Sequence, residues 1–121
     1  MSNAISIDKI KEIISEILYI DDIEAEARIF TDLDLSSIDF IDLCFELKKE
    51  CGSNVEPDLL WPFNKMASNP ELFSNNQWTD NGWKEVCSII NESATNPKES
   101  VSDLYKRFTP NFIQKRLAEI L

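Results

Sequence analysis

The sequence contains no histidine, and that absence removes several chemistries at once. A Ser-His-Asp triad or a Cys-His pair needs an imidazole as its base. A mixed Cys/His zinc site is excluded too, and the three cysteines, Cys44, Cys51 and Cys87, cannot supply four thiolate ligands. Their number is odd and no CxxC spacing occurs, so reduced cytosolic thiols are expected and a disulfide framework is not. Cys44 and Cys51 lie seven apart in a helical pattern, which reads as small buried apolar residues. Glycine is down to two residues, with no phosphate-cradling loop among them. Short-period strand alternation is hard to find, and both features favour helices. No run of about 18 apolar residues is present to span a membrane. The opening residues lack the basic-then-apolar layout of a signal peptide, so a cytoplasmic protein is expected. Any chemistry in which the chain takes part must draw its catalytic groups from elsewhere: neither enzymatic activity nor a metal is expected.

What is present is acid. The 121 residues carry 22 acidic and 12 basic side chains, a net charge of −10. Residues 1–60 hold 15 acids and 5 bases, while residues 61–121 hold 7 of each. The first half alone therefore bears the charge. Nucleic acid and anionic membranes are poor partners for such a surface, and a basic protein patch is a better one. Solubility alone is the plainer explanation of acidity in most proteins. The 43% apolar share is that of a globular chain, of a length suited to one domain and expected as a monomer.

Helical periodicity is clear at the start. Ile10, Ile13, Ile14, Ile17 and Leu18 share one face, and Ser6 or Asp8 can cap the helix. Residues 21–35 read as an acidic loop anchored by Ile23, Ala27, Ile29, Phe30, Leu33 and Leu35. A second helix starts at Ser36 or Ser37, with Ser36 and Asp39 spaced as a capping box. Its apolar line is Phe40, Leu43, Cys44, Leu47 and Cys51, widened by Ile41 and Phe45, and Gly52 is a left-handed stop. Asp39, Asp42, Glu46 and Glu50 form an acidic stripe on the same helix.

Residues 53–78 change character, with Pro57, Pro62 and Pro70 among aromatic side chains; a short helical turn is expected near Pro57–Trp61. Thr79 then caps a helix bearing Trp83, Val86, Cys87 and Ile90. A polar linker covers 91–99. Ser100 opens a stretch with Val101, Leu104, Tyr105 and Phe108. Thr109-Pro110 starts a last helix with Ile113, Leu117, Ile120 and Leu121. The expectation is an all-α bundle.

The run Asp32-Leu33-Asp34-Leu35-Ser36-Ser37-Ile38-Asp39-Phe40-Ile41-Asp42-Leu43 resembles the modification site of acyl and peptidyl carrier proteins. That family's pattern is Asp-Leu-Gly-x-Asp-Ser-Leu-Asp-x-x-Glu-Leu. Without gaps, Ser37 falls on the serine esterified by 4′-phosphopantetheine. Ser36 replaces an Asp, Asp34 replaces a Gly, Ile38 a Leu, and Asp42 the Glu. The resemblance reaches from the first helix to Gly52.

It implies an acyl-carrier-like bundle that tethers an acyl or aminoacyl group as a thioester on the arm of Ser37, with Ser36 as a minor alternative attachment point. It implies a phosphopantetheinyl transferase as one partner. A loading ligase, synthase or acyltransferase with a basic patch is the other, docking at Asp34, Asp39, Asp42 and Glu46. The pathway would be a specialised lipid, fatty-acid, polyketide or related one.

The chain divides on this reading into core helices over 1–52, an enlarged insertion over 53–108 and a C-terminal helix over 109–121, all within one domain. Trp61, Trp78 and Trp83 are expected to build an added mini-core or lid, or else to shape an acyl pocket. The rival readings are an unmodified helical module that docks basic partners through its acidic helix, and a regulatory subunit whose Trp-rich segment binds a hydrophobic small molecule.

Overall fold

A computed structural model describes residues 5–52 and 54–120. Helix α1 (Ile7–Leu18) begins where the Ser6 hydroxyl accepts the Lys9 N–H at 3.1 Å, and Asp8 meets the positive end of its dipole. Ile10, Ile13 and Ile14 are buried. The helix stops at Tyr19, whose left-handed backbone (φ 57°) closes it on the Ser15 carbonyl.

The acidic loop that follows is ordered as its apolar anchors require. Ile23, Ile29 and Leu35 are buried, with Ala27, Phe30 and Leu33 packed against them. Backbone bonds fasten it to the far end of the chain. The Ile29 N–H donates to the Phe108 carbonyl at 2.9 Å, and the Asn111 N–H to the Ala25 carbonyl at 3.0 Å.

Helix α2 (Ser37–Cys51) ends at Gly52, left-handed at φ 67°. It buries Leu43, Cys44 and Leu47, with Phe40 and Cys51 at the margin. Ile41 and Phe45, expected to widen that line, are each 59% exposed. The physical reason is angular. At about 100° per residue, Ile38, Ile41 and Phe45 form their own stripe roughly opposite the 40/43/44/47/51 face.

Between residues 57 and 78 the chain makes a short α3 (Pro57–Leu60), as expected, and a further turn, α4 (Phe63–Met66), that was not. A two-residue hairpin then pairs β1 (Phe73–Ser74) with β2 (Gln77–Trp78). Asn75 and Asn76, with φ of 55° and 63°, supply the positive-φ pair that such tight turns need. Strands this short leave no alternation to read in a sequence.

Thr79 caps α5 (Asp80–Ile90) through the Gly82 N–H at 3.0 Å, and its own hydroxyl donates to the Glu71 carbonyl at 2.7 Å. A side chain at Gly82 would stand 1.9 Å from the Leu72 carbonyl oxygen, so the close approach of hairpin and helix requires glycine there. The polar linker 91–99 is held by Arg107, which pairs with Glu92 and Glu99. Lys98 also donates to the Trp78 carbonyl at 3.0 Å.

Ser100 caps α6 (Val101–Leu104), which runs into a 3₁₀ turn (Tyr105–Arg107). Helix α7 (Pro110–Ile120) follows and packs on α1 and α3. It buries Ile113 and Leu117; Leu121, expected on the same face, lies outside the described residues. The fold is a helical bundle with one small hairpin. All three tryptophans are buried, but within one core continuous with α1 and α2, not a separate mini-core.

Candidate functional site

The site is built at the head of α2. The Ser36 hydroxyl accepts the Asp39 N–H at 3.1 Å, and the Asp39 carboxylate accepts the Ser36 N–H at 3.3 Å. This closed capping box leaves Ser36 occupied as the cap. Ser37 is the first helical residue and is exposed. Two unpaired N–H groups of a first turn and the positive end of a 15-residue helix favour an anion beside it. Asp34, where the carrier pattern has glycine, sits at φ 56°. That backbone region is one that glycine enters freely and Asp tolerates better than most residues. The departure in sequence therefore keeps the same turn.

The four acids singled out as a docking set are not equivalent. Asp34 and Asp42 are exposed. Asp39 is half-buried and engaged in the cap. Glu46 pairs with Lys49 at 3.1 Å, and Glu50 lies 3.9 Å from Lys9. Alongside them runs the exposed stripe Ile38, Ile41 and Phe45, of which Ile41 and Phe45 were expected on the inward face. The face is thus acidic and apolar together, a combination that suits a partner more than bulk water.

Ser37 also forms part of the rim of a cleft of about 280 Å³. Leu35, Phe40 and Phe30 line one side; Pro57, Trp61 and Tyr105 line the other. The rings contact one another, with Phe30 and Tyr105 edge to face at 5.3 Å and Trp61 stacked on Tyr105 at 5.8 Å. At the polar edge the Tyr105 hydroxyl donates to Asn64 Oδ1 at 3.1 Å. Trp61 is 3% exposed, and its indole N–H has no acceptor among the described residues. No periodicity could have joined residues 37, 61 and 105.

The three thiols are poor nucleophiles. Burial, with a smaller contribution from Glu56, pushes the Cys44 thiol up to about 12. Burial raises Cys51 and Cys87 as well, so none is a ready thiolate. Among the described residues no cluster of His, Cys, Asp and Glu could hold a metal ion, and no helix is long and apolar enough to cross a membrane.

Residues 8–65 match the family model described as the phosphopantetheine attachment site. The matched span holds nearly all of α1, the acidic loop, α2 with Ser37 at its head, and α3. Neither a curated protein nor a solved structure matches the chain. Residues 8–65 are thus a carrier-type region; domains of this family bear 4′-phosphopantetheine covalently and are carriers, not enzymes.

Proposed function

We propose that Ser37 is the attachment serine of this carrier domain. We propose further that the loaded protein presents an acyl or aminoacyl group to the enzymes of a specialised lipid, polyketide or related pathway. The observation that carries the assignment is the division of labour between adjacent serines. Both serines are exposed, but the Ser36 hydroxyl is engaged in the capping box, whereas Ser37 is the first helical residue, where the helix dipole favours the phosphodiester. On loading by a transferase, the Ser37 hydroxyl oxygen bonds to the β-phosphorus of coenzyme A as the pyrophosphate P–O bond breaks and adenosine 3′,5′-bisphosphate leaves, and the hydroxyl proton passes to the transferase's base. No base of the carrier's own is needed. The arm, once present, supplies a terminal thiol for a thioester.

The face of α2 supports handling by other proteins. Asp34 and Asp42 lie exposed beside Ile38, Ile41 and Phe45, and Asp39 and Glu46 add negative field. Such a face steers a basic partner and then gives it apolar area to bury. The partners we propose are a phosphopantetheinyl transferase and a loading ligase, synthase or acyltransferase. A specialised role is supported by the length of chain beyond residue 65 that lies outside the matched span.

Intact mass after co-expression with a broad-specificity phosphopantetheinyl transferase tests the assignment. One arm's mass should be gained, lost in Ser37→Ala and kept in Ser36→Ala. A gain that survives Ser37→Ala and vanishes in Ser36→Ala moves the site by one residue. No gain with several transferases ends the proposal.

A further inference from the structure

We infer that a second cleft, between the acidic loop and α7, binds the phosphate group of a small phosphomonoester. The inference does not depend on attachment at Ser37 and stands or falls separately from it.

The cleft follows from where the fold collects positive charge. Arg28 is the one base among six acids in residues 21–35, yet it forms no ion pair among the described residues. Backbone bonds from Ile29 to Phe108 and from Asn111 to Ala25, at 2.9 and 3.0 Å, lay that loop on the start of α7. Arg28 is thereby brought to the same cleft as Lys106 and Arg107 of the 3₁₀ turn and Lys115 and Arg116 of α7. All three arginines of the chain meet at this one place. Among the described residues the only acid in the lining is Glu26, which the Asn111 side-chain amide engages.

The cations differ in how free they are. Arg107 is held by Glu92 and Glu99 and forms an ordered wall. Lys106 lies 3.7 Å from Asp103, and Arg116 lies 3.7 Å from Glu119. Surface pairs of this kind contribute little and are readily exchanged for another anion. Lys115, like Arg28, has no acidic partner among the described residues. Screening over about 8 Å at physiological salt leaves an anion here to these neighbours more than to the net charge of the chain.

Shape and chemistry select the occupant. The cleft measures about 370 Å³, within the roughly 300–1,000 Å³ of small-molecule sites. Half-buried Ile89, Ile90 and Phe112 give it an apolar part, which a bare inorganic ion would leave unused. Thr109 also lines it and is 7% exposed. Its hydroxyl accepts the Phe112 N–H at 3.1 Å, and the hydroxyl proton has no acceptor among the described residues. A phosphate oxygen can take that proton together with the guanidinium donors. A phosphomonoester, with three free oxygens and close to two charges, engages Arg28 and Lys115 at once. A carboxylate has only two oxygens and one charge to divide between them.

Titration of the full chain with phenyl phosphate, followed in ¹H–¹⁵N spectra, provides the test. The backbone signals of Arg28 and of Thr109–Lys115 should shift along one saturable curve, while that of Ser37 stays. Arg28→Gln and Lys115→Gln should each weaken binding about tenfold. Both side chains are exposed, and the same spectra report whether the variants remain folded. Lys84→Gln, an equal change of charge on an exposed part of α5 outside the cleft, should leave binding unchanged. Inorganic phosphate and benzoate, each lacking one half of the match, should bind about tenfold more weakly than phenyl phosphate.

Absence of a saturable shift, or equal losses in all three variants, overturns the site. Inorganic phosphate binding as tightly as phenyl phosphate makes it a site for the free ion, and benzoate doing so removes the preference for phosphate. Either result overturns the assignment to a phosphomonoester.

Discussion

Ile38, Ile41 and Phe45 on α2 stand 73%, 59% and 59% exposed, whereas Trp78 and Trp83, beyond the family-matched span, keep 1% and 3% of their surface. Charge divides the same way, with the first half of the chain holding the entire net −10. The half that resembles other carriers thus leaves both its acids and its spare apolar side chains to solvent. The other half turns its large rings inward. On the proposed function, a region gripped and released by partner enzymes gains from exposed apolar area rimmed by like charge. A region whose task is to hold a helix end and a cleft in place gains from burial. The second half also reaches into the first, through the Phe108 carbonyl on Ile29 and the Tyr105 ring at the cleft.

The most severe way to break this contrast is to remove the joint. Phe108 is fully buried, stacked on Phe30 at 4.4 Å and edge to face with Trp61 at 5.3 Å. Phe108→Ala should cost about 3–5 kcal/mol, the range for deleting a core aromatic ring. Urea unfolding followed by tryptophan fluorescence and by far-ultraviolet circular dichroism should give one shared transition. Two separate transitions would mean that the halves fold independently and that the second is no support for the first.

Gly82→Ala should come next, at about 3 kcal/mol, as overpacking against backbone that cannot yield. Its methyl would meet the Leu72 carbonyl oxygen at 1.9 Å, opening the hairpin from α5. The melting temperature reads the loss. Below that temperature Ser37 should still accept the arm, because the damage lies on the supporting side. Loss of loading in folded Gly82→Ala protein would show that the second half shapes the modification site more directly than the contrast allows.

The docking face should respond in the opposite sense. Phe45→Ser removes ring surface that solvent already reaches, so stability should stay within about 0.5 kcal/mol. The transferase or loading enzyme should work about tenfold more slowly, equivalent to about 1.4 kcal/mol of lost contact. Added salt should slow the same step by screening Asp34 and Asp42. A large loss of stability in Phe45→Ser would return this side chain to the core, where its sequence pattern had put it.

That misplacement marks the limit of what the pattern could tell. The Ser6 cap, the Ser36–Asp39 box, the Gly52 stop and the Thr79 cap are local devices, and each was legible from a few neighbouring residues. The inner and outer apolar sets of α2 share one helix. Periodicity finds both but cannot say which meets the core, since that depends on where α1 lies. The hairpin was too short to read. The cleft joins the Phe30 loop, the head of α2, Trp61 and Tyr105, a union made only by the folded chain.

Asp34 offers the smallest effect and the sharpest separation of roles. Its φ of 56° makes it a turn residue, and its exposure makes it a docking acid as well. Asp34→Gly removes the charge and relaxes a backbone that glycine adopts freely, so stability should rise by about 0.5 kcal/mol or less. Asp34→Asn removes the charge while keeping a side chain tolerant of that conformation, so stability should hardly change. If the carboxylate steers partners, both variants should slow transferase loading equally and lose part of its salt dependence. If the residue is only a turn, loading should follow neither variant, and the acidic face would then rest on Asp42 with its neighbours along α2.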